Sequence, residues 1–282
     1  MDHPPKKVDS QETHSKDTDP ELAGAVPRAR VGAVEVMALS EDEVAEHVVQ
    51  GWRSGRGGAI VTANVDIVRA ATRDPGLAAL VAGAELVVAD GMPVVWAARL
   101  AGLRLPGRVT GASLVFTLAA SAAREGRSVF LLGGGEPGVA REAGEVLAAR
   151  YPGLRVAGTY APPFGFERDP GGTAGLVAAV RAAEPDLVLA GFGFPKQERV
   201  IAALRPELPR AWYLGCGAGI PMAAGRFRRA PRALQQAGAE WLFRLALEPR
   251  RLVRRYLRDD LPFAFGLLAG AAWRRLTTDR RP

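Results

Sequence analysis

Five short segments of this 282-residue chain carry side chains suited to binding or proton transfer, and they are spread along most of its length. Thr62-Ala63-Asn64 sets a hydroxyl and a carboxamide two residues apart, able to aim hydrogen bonds at one polar ligand or simply to cap the helix that follows. Ala89-Asp90-Gly91 puts a carboxylate beside a glycine that lets a ligand approach the backbone, an arrangement suited to general base chemistry. Taken alone, Asp90 reads better as an N-cap for a helix over Val94 to Leu100. Arg108-Val109-Thr110-Gly111 offers a cation and a hydroxyl before another helix. Gly133-Gly134-Gly135-Glu136-Pro137-Gly138 fits GxGxxG and would cradle a pyrophosphate at the N-terminus of a helix over Val139 to Tyr151. Gly193-Phe194-Pro195-Lys196-Gln197-Glu198 gathers backbone amides, a lysine and a carboxamide in one turn suited to a sugar or phosphate.

These segments share a position. Each follows or closely trails a short apolar run: Gly58–Thr62, Glu85–Ala89, Ser128–Leu132 and Asp186–Ala190, with two more runs at Leu154–Gly158 and Ala211–Gly215. Apolar runs alternating with amphipathic Ala/Leu/Arg stretches predict an α/β fold, a mostly parallel Rossmann-like sheet covered by helices on both faces. In such sheets ligands lie outside the carboxyl ends of the strands, where these polar segments fall.

Composition narrows the class. Hydrophobic residues at 48% and charged residues at 24% fit a folded globular chain, and one cysteine, Cys216, excludes a disulfide framework or a CxxC site. The polar residues 1–30 read as a disordered tail, in which Asp17-Thr18-Asp19 is a chance DxD. Residues 31–225 form the predicted α/β core. Residues 226–282 hold 14 Lys/Arg against 5 Asp/Glu, so this last fifth carries all of the net charge of +7. There Arg244, Arg250, Arg251, Arg254, Arg255 and Arg258 alternate with Trp, Phe and Leu, predicting helices that form a basic appendage. The apolar stretch Leu261 to Trp273 is too short to span a bilayer, which needs about 20 residues. Basic and aromatic residues in short segments fit an interfacial membrane element, and equally a helical cap with a solvated basic face.

Two other classes are weighed on the same residues. A nicotinamide-dependent oxidoreductase would use the Gly133 loop, but needs an acid about 20 residues on, where Thr159 and Tyr160 stand instead. A non-enzymatic binder of anionic lipid or nucleic acid through the arginines leaves the polar segments at the strand ends unexplained.

Taken in order, Thr62-x-Asn64, Ala89-Asp90-Gly91, Arg108-Val109-Thr110-Gly111, Leu131-Leu132-Gly133-Gly134, Tyr151-Pro152-Gly153-Leu154, Gly193-x-Pro195-Lys196-Gln197-Glu198 and Glu240-Trp241 through Arg254 resemble the WecG/TagA/CpsF glycosyltransferase family. The resemblance covers roughly Val34 to Tyr256. It implies an inverting, UDP-sugar-dependent transferase that moves a hexose or N-acetylhexosamine, such as N-acetylmannosamine, to a polyprenyl-pyrophosphate-linked sugar for cell-surface polysaccharide or teichoic acid. It further implies Asp90 as catalytic base, with Thr62, Asn64, Arg108 and Gln197 around donor and acceptor. Gly133 and Gly134 would lie at the donor, and Arg244, Arg251 and Arg254 over its diphosphate. No metal or further cofactor and no nucleic acid partner is expected. The implied location is cytoplasmic, peripheral on an anionic inner membrane face, and relatives suggest self-association. Two departures stand out: Ile220-Pro221 replaces the family's usual Phe-Asp pair, and Ala63 replaces a common Pro.

Overall fold

The computed structural model describes residues 26–227 and 260–278, together with residues 231, 234, 243 and 245. Most of the basic segment, including Arg244, Arg251 and Arg254, lies outside the described residues, as does the N-terminal stretch before Val26.

The ordered chain starts earlier than position 31. β1 (Arg28–Val31) and β2 (Val34–Met37) pair antiparallel, joined at Gly32-Ala33. Gly32 has φ +60°, and a Cβ there would come within 2.8 Å of Val68, so the turn needs both the freedom and the smallness of glycine. Residues 28–30, expected in the tail, are thus strand, because Val31, Val34 and Val36 bury one face of the hairpin.

Six further strands form one parallel sheet: β3 (Gly58–Ala63), β4 (Leu86–Ala89), β5 (Ser128–Gly133), β6 (Arg155–Tyr160), β7 (Leu187–Gly191) and β8 (Trp212–Gly215), in the order β4-β3-β8-β7-β5-β6. Every residue of β3, β4, β5 and β8 is buried, as continuous apolar strands in a doubly covered sheet must be. Among the described residues the helices are α1 (Glu41–Arg53), α2 (Val65–Arg73), α3 (Pro75–Ala82), α4 (Met92–Leu100), α5 (Gly111–Arg124), α6 (Val139–Arg150), α7 (Pro170–Ala183), α8 (Lys196–Leu204), α9 (Gly219–Ala223) and α10 (Leu261–Thr278). One face of the sheet packs on α1, α5, α6 and α9, with Val48, Leu114, Leu118, Ala143, Leu147 and Ile220 inside. On the other face α7 and α8 cover one half through Leu176, Val180, Ile201 and Leu204. The hairpin, α2, α4 and α10 cover the other half through Val36, Ile67, Val95 and Leu267.

Register aligns the strand ends. Ala63 pairs with Ala89, Gly133 with Gly191 and Ala190 with Gly215, so the turns after β3, β4, β5, β7 and β8 open on one edge. α10 lies against α4 with Ala264, Leu267 and Ala271 buried. Its approach is fixed by Asp260, 9% exposed, whose carboxylate lies 3.6 Å from Nε of Arg69 on α2. Arg69 also holds Asp66 at 2.6 Å, so a cation between two carboxylates joins the last described helix to the turn after β3.

Candidate active site

Two groups of turns meet along the carboxyl edge of the sheet. The first is built on β3, β4 and the start of α5. The Asp90 N–H donates to the Ala63 carbonyl (2.9 Å) and the Val109 N–H to the Ala89 carbonyl (2.9 Å), tying the three segments by backbone alone. α5 opens with Thr110 as N-cap, its hydroxyl accepting from the Ser113 N–H (3.1 Å). Its first residue, Gly111, sits so close that a Cβ would lie 3.0 Å from the Cys216 Cα and 3.2 Å from Thr62 Oγ1. The N-terminus of this 14-residue helix, the positive end of its dipole, therefore lies against the ends of β3 and β8.

Within this group the side chains differ in what they already bond. Asn64 is the N-cap of α2, Oδ1 accepting from the Ile67 N–H (3.0 Å). Thr62 is 7% exposed, and no described residue hydrogen-bonds its hydroxyl, which leaves a nearly buried polar group suited to a ligand. α4 starts at Met92, and its N-cap position is held by Gly91 at φ +90°, one residue after Asp90. Arg108 is half-buried just before α5.

The second group joins β5, β7 and β8. All four glycines of the Gly133–Gly138 motif have positive φ, between +87° and +96°. Two of them are shaped by packing. A Cβ on Gly133 would come within 2.8 Å of the Phe192 ring, and one on Gly134 within 3.0 Å of Ile220. The Gly134 N–H donates to the Gly191 carbonyl (3.4 Å). Gly133 and Gly134, expected at the donor, are thus enclosed by Phe192 and Ile220. The loop backbone with open space around it is that of Gly135 and Gly138. Tyr160 ends β6, so no acid stands where a nicotinamide ribose would need one.

Gln197 was expected to face the ligand; its carbonyl instead joins two turns. Oε1 accepts from the Gly193 N–H after β7 (3.0 Å) and from the Gly217 N–H after β8 (3.1 Å), while Nε2 donates to Glu198 Oε1 (2.9 Å). Both side chains are buried, and desolvation is the main cause that raises the Glu198 carboxyl above its ordinary value. Lys196, on the outer side of the same turn, pairs with Glu167 at 2.8 Å and lies over the rings of Phe166 and Phe164. Cys216 is fully enclosed; burial pushes its thiol to about 12, so it stays protonated and is no nucleophile. Among the described residues no three His, Cys, Asp or Glu are grouped to hold a metal ion.

A profile of the Glycosyl transferase WecG/TagA/CpsF family matches residues 29–277. The chain belongs to that family. It is a glycosyltransferase of cell-surface polysaccharide synthesis, with a sugar donor and an acceptor as substrates. Membership gives the Ile220 departure a physical reading. Ile220 is fully buried and would touch a Cβ on either Gly134 or Gly191 at 3.0 Å, so it fills the space between the turns after β5 and β7 as a larger apolar residue would. Pro221 supplies no carboxylate in place of the usual Asp. Glu198, which closes the Gly193–Glu198 segment and was given no role of its own, is the buried partner of Gln197. Its place on the same α8 face as Ile201 and Leu204 is the sequence signal that it is buried.

Proposed function

We propose that this glycosyltransferase moves a hexose or N-acetylhexosamine, of the N-acetylmannosamine kind, from UDP to a sugar linked to polyprenyl pyrophosphate, with inversion. The observation that carries this reading is Asp90: a carboxylate-bearing residue directly after β4 and before the Gly91 turn, tied through its own N–H to the Ala63 carbonyl at the end of β3. In the step it performs, the acceptor hydroxyl loses its proton to Asp90 and its oxygen bonds to the anomeric carbon. The bond from that carbon to the UDP phosphate oxygen breaks on the opposite face, and one base suffices. The departing diphosphate gathers negative charge. The α5 N-terminus, Arg108 and the appendage arginines Arg244, Arg251 and Arg254 supply positive charge without a bound metal. Thr62 and Asn64 orient the sugars, and the Gly135–Gly138 backbone and the turns held by Gln197 receive the nucleotide.

The lipid-linked acceptor places the protein at the inner face of the membrane. No described helix is long and apolar enough to cross a bilayer. α10 instead turns Pro262, Phe265, Gly266, Ala269 and Trp273 outward at helical spacing, Phe265 and Trp273 each 70% exposed, and α4 beside it exposes Trp96 and Leu100. An aromatic surface of this kind, next to a segment rich in arginine, suits the headgroup region.

The test is release of UDP from a panel of UDP-sugars, with short-chain polyprenyl-pyrophosphate-GlcNAc as acceptor, with and without EDTA. Acceptor-dependent release that survives EDTA is expected. Asp90→Asn is expected to lower turnover about a thousandfold while UDP affinity stays within about threefold of wild type, the loss of a general base alone. Release that disappears with EDTA, or undiminished turnover in the variant, would overturn the corresponding part of the reading.

A further inference from the structure

At the ends of β7 and β8 the Cys216 N–H donates to the Ala190 carbonyl (2.9 Å), and beyond that bond Gln197 spans the two turns. Two backbone donors, the N–H groups of Gly193 and Gly217, converge on one atom of its amide at 3.0 and 3.1 Å. Two donors require an acceptor, so that atom is Oε1, and the –NH2 must face the other way. There it meets Glu198 Oε1 at 2.9 Å, the only described partner of the –NH2 group. Rotation of the amide by half a turn would set –NH2 against two N–H groups and oxygen against a carboxyl oxygen. Glu198 therefore adds to the two backbone donors in making the working orientation the stable one.

The surroundings hold both side chains in place. Gln197 and Glu198 are 4% and 5% exposed, and a Cβ on Gly215 would lie 2.5 Å from Gln197 Nε2 and 3.0 Å from Glu198 Oε1. The pair is thus seated directly on the β8 backbone. Glu198 Oε2 is buried and has no hydrogen-bond partner among the described residues, at the wall of a cavity of about 260 Å³ lined mostly by Ala59, Val61, Ala79, Leu80 and Ile201. The other charged group lining it, the Arg205 guanidinium, is bonded to Glu85 and to the Gly83 carbonyl, and the rest of the lining is apolar or glycine. The polar group is retained for what Oε1 does.

We propose that Glu198 is a positioning residue for the sugar-nucleotide donor: by fixing the Gln197 amide it sets the separation of the turns after β7 and β8, which bound the donor site. The inference rests on the donor reading given above and adds to it a residue that does not touch the donor.

The experiment compares wild type with Glu198→Leu, which removes the acceptor, and Glu198→Gln, whose side-chain carbonyl can still accept from Gln197. Two readouts are taken on the full-length folded protein: amide hydrogen exchange at Gly193 and Gly217, and affinity for UDP by calorimetry. Glu198→Leu is expected to speed exchange at both glycines about tenfold and to weaken UDP about fivefold to tenfold, the effect of one lost hydrogen bond. Glu198→Gln is expected to restore both to within about twofold, which loss of packing alone would not do. If Glu198→Leu does not fold, Glu198→Asp, one methylene too short to reach Nε2, is expected to show the same two losses. Unchanged exchange at Gly193 and Gly217 in the Leu or Asp variant overturns the proposal whether or not UDP binds. Lost protection with unchanged UDP affinity overturns it as well. A wild-type protein that binds no UDP-sugar, with Gly193 and Gly217 protected through Glu198, removes the UDP-donor reading and, with it, the donor role of Glu198, while the link between the two turns stands.

Discussion

Gly215→Ala is the sharpest test of how the strand-end turns are held. Gly215 is the last residue of β8 and has ordinary strand backbone, so an alanine adds a methyl group and no dihedral strain. That methyl would sit 2.5 Å from Gln197 Nε2, and 3.0 Å from both Gln197 Cδ and Glu198 Oε1, where carbon contacts normally begin at about 3.5 Å. The side chain has to retreat by roughly 1 Å. Its three hydrogen bonds of 2.9, 3.0 and 3.1 Å would then lie near 4 Å and be broken. Two half-buried backbone N–H groups and one buried amide lose their partners, at about 1–3 kcal/mol for the buried amide and less for the N–H groups, and the adjoining cavity lets the side chain recover part of that. The expected destabilisation is about 2–4 kcal/mol, well above what a single added methylene costs when it can be accommodated. Urea unfolding followed by tryptophan fluorescence measures it, and UDP affinity is expected to fall in parallel. The double variant Gly215→Ala, Gln197→Ala supplies the control. With no side chain to displace, its cost should be less than the sum of the two single costs by more than about 0.5 kcal/mol. A single variant within about 0.5 kcal/mol of wild type, or strictly additive costs, would refute the clash as the cause.

Arg69→Met removes the cation between Asp66 and Asp260, side chains no more than 26% exposed, at a cost of about 3–5 kcal/mol; the loss should be local, seen as faster hydrogen exchange throughout α10 with the sheet still protected. Phe265→Ser with Trp273→Ser is expected to weaken binding to anionic vesicles by about a hundredfold or more, from about 1.5–3 kcal/mol per lost aromatic burial; vesicle co-sedimentation checks it, and retained binding would move the docking surface elsewhere. Glu198 gives the pH dependence its sign: burial raises its native carboxyl above the ordinary 4.5, so between those two values the folded state binds more protons than the unfolded one. Its contribution to stability is full below the unfolded value and falls as pH rises through the raised native one. Glu198→Gln lacks that term, so its stability relative to wild type should climb across that window and level off above it, as urea unfolding at a series of pH values would show.

Four strands of the main sheet, β3, β4, β5 and β8, were legible as short runs buried along their whole length, and β7 is buried but for its last residue, as a sheet covered on both faces requires; β6, at the sheet edge, carries Arg155 and Thr159 and has no fully buried residue. β1 and β2 were not legible. Arg28–Val31 alternates polar and apolar residues directly after a charged, proline-rich stretch, and its buried face is supplied by Val68 and Leu267, distant in sequence. Asp90 shows a second limit. An acid just before a helix reads as a cap, and only the structure shows that Gly91, at φ +90°, holds the N-cap position one residue later.

Glycines mark a third limit. A missing Cβ means the same thing in sequence whether a phosphate or a neighbouring side chain approaches, and at Gly133 and Gly134 the neighbours are Phe192 and Ile220. The distinction lives in tertiary packing, which a GxGxxG pattern does not contain. Gln197 and Glu198 carry the complementary signal, since two polar residues stand on a helix face otherwise made of Ile201 and Leu204. Buried polar side chains persist where their hydrogen bonds are satisfied and specific, and here those bonds run to the turns after β7 and β8. Ile220 works from the opposite side, wedged between Gly134 and Gly191. The turns after β5, β7 and β8 are therefore spaced by one apolar and one polar spacer, both buried. Changes in either should alter which donor fits before they alter the fold, because the sheet beneath is held by its own continuous core.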